Sequence, residues 1–143
     1  TGIYDFAVIV KGNGPGRRVA VNMNSDLTCW LAEHLDKNDL LLTPEYSMNE
    51  VTMSGVMLYC GWPYYAWSAG YDTNYRAAQA VTIYTTSDSE TLKSTVKQEK
   101  ITYILFEEGS EFEQQVCQEE TIAATYEKVY ETQDGRIRIY KTN

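Results

Sequence analysis

The run Tyr59-Cys-Gly-Trp-Pro-Tyr-Tyr-Ala-Trp-Ser-Ala-Gly-Tyr71-Asp72, with Arg76 close behind it, gathers the side chains best suited to holding a ligand. Six aromatic rings, an acid and a base stand among Gly61, Pro63 and Gly70. Gly61 and Pro63 interrupt regular structure, which predicts that Trp62, Tyr64, Tyr65 and Trp67 stand on a loop after a strand end, where binding groups concentrate. Aromatic faces stack on the C–H surfaces of sugars, while Asp72 and Arg76 suit hydroxyl or phosphate groups. The structural alternative is a loop folded over its own sheet edge, with Asp72 and Arg76 paired at the start of a helix.

The other candidates are weaker. Glu107 and Glu108 directly follow an apolar run, and Glu45 follows another. In open α/β sheets the carboxyl ends of strands form the ligand crevice, so Thr43, Pro44, Glu45, Tyr59 and Glu107 are expected to share one rim. Paired carboxylates there would do acid–base work or bind a cation. Against that stands a solvated acidic loop running on through Glu111 and Glu113. His34 is the single histidine, on the polar side of a capped helix, without a nucleophile motif such as GxSxG, so it reads as a surface residue. Gly12-Asn-Gly-Pro-Gly16 lacks the Lys-Ser/Thr pair of a phosphate loop, and Pro15 removes an amide donor. Cys29, Cys60 and Cys117 are odd in number and widely spaced, which points to buried free thiols rather than zinc. No metal set, cofactor cradle or catalytic residue is assigned.

Bulk composition narrows the class. At 143 residues the chain fits one domain with a single good core. A net charge of −8 argues against a nucleic-acid partner, which needs a basic face, and against attraction to anionic lipid. Twelve tyrosines suit boundaries between dry and wet surroundings. No segment reaches the roughly 18 to 20 apolar residues that cross a bilayer. The chain starts at Thr1 rather than Met, which leads us to expect a fragment of a longer protein. Residues 1–18 are read as a juxtamembrane segment and linker, and residues 19–143 as the domain; a docked strand or helix is the alternative for residues 1–10.

The elements that must position these groups follow from periodicity and caps. Asn24 or Ser25 can cap a helix with Leu27, Trp30, Leu31 and Leu35 on one face. Residues 40–43 and 56–59 read as short interior strands, with a short helix over 48–54 between them. Residues 73–84 predict a helix burying Ala77, Ala80, Val81 and Tyr84, and Ser87 or Asp88 caps another reaching Glu99. Residues 101–106 are the strongest strand, 107–118 are polar and irregular, and 119–126 suit a short helix. Gln133-Asp-Gly135 marks a hairpin between 128–132 and 136–141. Alternating strands and helices predict an α/β fold, a three-layer sandwich with a mainly parallel sheet, helices on both faces and the C-terminal antiparallel hairpin at the edge.

Taken in order, these segments resemble the soluble C-terminal region of bacterial polytopic membrane glycosyltransferases of the GT-C architecture. The likeness covers residues 25–141. The aromatic run from Leu58 to Asp72, with Arg76, is its most specific part. Trp30-Leu-Ala-Glu-His-Leu and Leu40-Leu-Leu-Thr-Pro44 look like that region's "WI-x-E-N-T … LT-P" opening. Residues 90–106 look like its helix and "I-x-Y-I" strand, and Val129-Tyr with Arg136-Ile-Arg-Ile-Tyr140 its closing hairpin. Tyr64, Tyr65 and Ala69 depart from the Gly and His common at those places. The resemblance implies a domain on the extracytoplasmic face of the plasma membrane, hung from membrane helices outside this sequence. The partners would then be a polyprenyl-phosphate sugar and a glycan acceptor. The family's catalytic acid lies in an early loop outside this sequence, so no catalytic residue carries over. The expected function is therefore non-catalytic recognition of acceptor or lipid-linked sugar. A free-standing glycan- or partner-binding module is the alternative, and a small enzyme using Glu45 and Glu107 ranks last.

Overall fold

The computed structural model describes residues 22, 24–46, 49–61 and 63–143. The readings placed on residues 1–18 and on Trp62 lie outside the described residues.

Ser25 caps the first helix, α1 (Asp26–His34), its hydroxyl accepting from the Thr28 amide at 3.2 Å. The expected stripe is observed: Leu27, Leu31 and Leu35 are buried. Trp30 is partly buried, stacked on His34 with ring centroids 4.5 Å apart. Cys29 corrects an expectation. It is exposed, because one residue beyond the buried Thr28 the helix has already turned its side chain outward, while Cys60 is half-buried and Cys117 buried.

The chain continues through β1 (Leu40–Leu42), α2 (Asn49–Met53), β2 (Met57–Leu58), α3 (Pro63–Ser68), α4 (Asn74–Thr85), α5 (Ser89–Glu99) and β3 (Tyr103–Glu107). A small hairpin, β4 (Glu111–Phe112) and β5 (Gln115–Val116), precedes α6 (Glu120–Thr125). The last two strands are β6 (Glu127–Glu131) and β7 (Ile137–Lys141). The described strands form a five-stranded sheet in the order β2-β1-β3-β7-β6 and a separate two-stranded one, β4-β5.

The domain is thus mixed α/β, and its main sheet is mixed too. β2-β1 and β1-β3 pair in parallel, β3-β7 and β7-β6 antiparallel. The expectation of a mainly parallel sheet is corrected to an even division. The cause is the β3-β7 ladder, five pairs long from Tyr103↔Lys141 to Glu107↔Ile137, against two pairs each for the parallel neighbours. The hairpin does lie at the sheet edge, with β6 outermost.

Strand alternation divides the core. Leu41, Tyr103, Leu105 and Ile139 join Leu27, Leu31, Leu35 and Val51 in one cluster. Leu42, Ile104, Phe106 and Tyr140 join Ala77, Ala80, Ile83, Tyr84, Leu92, Val96 and Ile122 in the other. Successive strand side chains point to opposite faces, so each parity meets its own helices. Residues 107–118 were expected to be polar and irregular, yet they hide Phe112 at 1% exposure, stacked near Tyr84 with centroids 6.3 Å apart. The Tyr84 hydroxyl donates to the Leu105 carbonyl at 2.6 Å, which satisfies its polar tip inside the core.

Two measurements test this packing. Leu42 is fully buried, so Leu42→Ala should lower unfolding stability by about 3 kcal/mol, the cost of lost transfer energy plus a cavity. Met57→Ala, at 59% exposure on the edge strand, should change it by no more than about 0.5 kcal/mol. Equal losses in urea titrations would contradict this division of the core. The second concerns Asp88, which caps α5. Its carboxyl is held below its ordinary value, first by the Thr91 hydroxyl and then by the Thr91 and Glu90 amides. That contribution is present above the ordinary carboxylate range and is lost as pH falls through the lowered folded value. Asp88→Asn, which still caps but does not titrate, should flatten the acid limb of the stability curve below about pH 4. Urea midpoints measured across that range would refute this by keeping the wild-type slope.

Candidate functional site

β2 is the outermost strand of the parallel half, and the aromatic segment begins where it ends. The Tyr59 amide donates to the Leu41 carbonyl at 2.9 Å, holding that strand end against β1. Tyr59 is 2% exposed, as expected for the end of a strand. Its hydroxyl donates to Glu99 Oε2 at 2.8 Å. Burial, then the Glu99 hydrogen bond, push its pKa well up, so the hydroxyl remains a donor throughout the neutral range.

Beyond Cys60 and Gly61 the chain does not remain a loop. Pro63–Ser68 forms the short helix α3, correcting the expectation that Tyr64, Tyr65 and Trp67 stand on irregular backbone. The physical reason is positional: proline at the first position of a helix gives up an amide with no intrahelical partner and brings a suitable φ. The helix places Tyr64 and Trp67 on neighbouring surface positions, their ring centroids 6.0 Å apart. They are 56% and 63% exposed, and Tyr71 is 71% exposed. Of Tyr65 only the backbone is described.

The end of α3 has a specific stop. Gly70 has φ +85, its amide donates to the Trp67 carbonyl at 2.9 Å, and the Tyr71 amide donates to the Ala66 carbonyl at 3.1 Å. This is the paired bonding of a Schellman cap, which needs a left-handed residue where glycine stands. It sets where Tyr71 emerges.

A cleft of about 390 Å³ lies between β2, α3 and the start of α4. Leu58, Tyr59, Cys60, Ala66, Tyr71, Asp72, Thr73 and Arg76 line it. Arg76 Nη1 donates to the Tyr59 carbonyl at 2.8 Å, and its guanidinium lies over the Tyr59 ring, 5.1 Å from the centroid. Asp72 does not pair with it; Asp72 Oδ1 accepts from the Asn74 amide at 3.0 Å instead. The Asp72–Arg76 pair of the alternative reading is therefore not among the ion pairs of the described residues, because each group finds a backbone partner of its own. Burial raises the Cys60 thiol to about 11 against the lowering influence of Arg76, which leaves it a poor nucleophile.

The carboxylate reading fares differently. Glu45 and Glu107 line separate depressions. Glu45 Oε2 accepts from the Glu113 amide at 3.0 Å, and Glu107 Oε1 lies 3.8 Å from Arg136 Nη2. The shared rim expected for them is not formed. Glu107 is drawn to the hairpin by the β3-β7 ladder, and Glu45 to the β4-β5 turn. Nor does Glu45 join the aromatic cleft.

Sequence reasoning missed Glu99. It accepts from Tyr59 at one oxygen and from the Tyr75 hydroxyl, at 2.7 Å, at the other, which ties the C-terminal end of α5 to the cleft wall. The only local signal was an acid at the end of a helix, where the dipole disfavours it. Among the described residues no cluster of three or more His, Cys, Asp or Glu side chains is placed to hold a metal ion, and no helix is long and apolar enough to cross a membrane.

The fold and site together define a mixed α/β domain with a cleft at the open edge of its parallel half, lined by Tyr59, Tyr71, Asp72 and Arg76 among others. No protein-family model matches the chain, and no curated protein matches it.

Gly70 gives the test of this local architecture. A Cβ added there meets no atom within 4 Å, so Gly70→Ala should cost only the backbone penalty, about 1 kcal/mol. A loss of several kcal/mol in urea titrations would mean that the α3 stop is packed rather than exposed.

Proposed function

We propose that this chain is a non-catalytic extracytoplasmic domain of a GT-C-type membrane glycosyltransferase, and that it assists recognition of an acceptor or a lipid-linked sugar at residues 62–76. The observation that carries the recognition role is the exposure of Tyr64, Trp67 and Tyr71 on the segment that borders a cleft, in which Arg76 is held by the Tyr59 carbonyl. Exposing that much aromatic surface is unfavourable unless something covers it. Rings near a guanidinium and an acid suit the alternating C–H faces and hydroxyls of a sugar. The ordered sequence likeness supports the transferase setting. The domain would then stand on the outer face of the plasma membrane, with the parent protein supplying the membrane helices, the catalytic acid and most donor contacts. We read the two core clusters on opposite faces of the sheet as the three-layer arrangement expected for such a domain. A free-standing glycan- or partner-binding module uses the same surface without a membrane partner.

The test is a titration of the 143-residue chain with mannose- and arabinose-containing oligosaccharides, followed by tryptophan fluorescence. Saturable binding should weaken about tenfold or more in Trp67→Ala and in Tyr71→Ala, with unfolding midpoints unchanged because both rings are exposed. Wild-type affinity in both variants would remove the aromatic surface from the reading. In the full-length parent, loss of transfer in the same variants would distinguish the accessory role from the free-standing module.

A further inference from the structure

We infer that the cleft selects an acidic saccharide, a sugar carrying a carboxylate or phosphate, with the anionic group seated on Arg76. This rests on the reading of the cleft as a sugar site and adds the charge of its ligand.

The Arg76 guanidinium has five N–H donors in a fixed fork, and among the described residues Nη1 alone is engaged, with the Tyr59 carbonyl. Its central carbon lies over the Tyr59 ring, 5.1 Å from the centroid, and Glu99 in turn holds the Tyr59 hydroxyl. Arg76 is thus restrained by two contacts before any ligand arrives, which lowers the side-chain entropy lost on binding.

Its charge is also uncompensated by contact. Among the described residues Arg76 takes part in no ion pair, although the chain has 20 acidic residues against 12 basic ones. Asp72 in the cleft lining and Glu99 behind Tyr59 are turned to other work. Asp72 caps the Asn74 amide, and both oxygens of Glu99 accept from tyrosine hydroxyls. A planar fork with free donors matches the two oxygens of a carboxylate or phosphate. The net charge of −8 opposes an approaching anion, but at physiological salt that field is screened within about 8 Å, while a direct charge-assisted contact is not. The cleft, about 390 Å³, is of a size for one or two sugar rings, and Tyr71 supplies a face for one of them.

The experiment titrates the chain with glucose, glucuronic acid, glucose 1-phosphate and inorganic phosphate, following the ¹H–¹⁵N signals of Tyr71, Asp72 and the Arg76 side chain. Glucuronic acid or glucose 1-phosphate should bind about tenfold or more tightly than glucose. Arg76→Gln should reduce the acidic sugar to the affinity of glucose. Arg76→Lys should recover only part of the difference, because an ammonium lacks the fork. Circular dichroism of both variants separates lost binding from lost folding. Preference for glucuronic acid marks a carboxylate source, and preference for glucose 1-phosphate a phosphate source; both support the inference. Equal affinity for glucose and the acidic sugars, lost in Tyr71→Ala, would overturn the anionic selection and leave the sugar reading standing. Inorganic phosphate binding as well as glucose 1-phosphate would overturn both, leaving a simple anion site. No response to any probe at about 10 mM would also overturn both.

Discussion

Everything in this fold depends on β3 being covered on both faces. Tyr103, Ile104, Leu105 and Phe106 are all at 6% exposure or less, so four consecutive residues must be apolar and must alternate between two separate cores. β3 is also where the sheet changes character, parallel to β1 on one side and antiparallel to β7 on the other. A polar residue at any of these four places would lie against helices or hairpin with no water to solvate it. The strand therefore dictates which helices can approach, and from which side.

That constraint leaves β2 at the open edge of the parallel half, and the cleft is a consequence. β2 has a neighbouring strand on one side only, and beyond Tyr59 the chain turns away into α3 and exposes Tyr64 and Trp67. Tyr59 is the hinge between the two regimes. Its amide belongs to the sheet, its ring belongs to the core, its carbonyl and ring face hold Arg76, and its hydroxyl reaches Glu99. The edge of the core and the wall of the cleft are thus joined through one buried side chain.

The acidic surface is arranged as separate local pairings rather than one field. Glu107 sits near Arg136, Glu119 is bonded by Arg138 and Tyr140, and Lys128 pairs with Glu131 within β6. Most of these are exposed ion pairs of small individual worth. The β3-β7 ladder keeps these acids on the antiparallel side of β3, while the cleft opens beyond β2 at the opposite edge of the sheet.

The local signals in the sequence were sufficient where a segment's own residues decide its structure. The 3-4-7 stripe and Ser25 define α1, Asp88 defines the start of α5, four apolar residues in a row define β3, and Asp-Gly marks the turn between β6 and β7. Tyr64, Trp67 and Tyr71 were legible as surface rings because the breakers around them prevent a continuous buried element. Pro63 was misread as a breaker when it serves as a helix start, a distinction that depends on which side of it the helix lies. The tertiary structure alone decided that β7 lies beside β3, that Phe112 leaves an acidic segment to enter the core, and that Glu45 and Glu107 face different depressions. It alone turned Arg76 from Asp72 to the Tyr59 carbonyl and brought Glu99 to the cleft. The physical reason is range. Caps, stripes and turns are contests among residues within a turn or two of one another. Pairings such as Tyr59 with Glu99, 40 residues apart, are settled only when two faces of one sheet have been covered and the remaining polar groups must find partners where they stand.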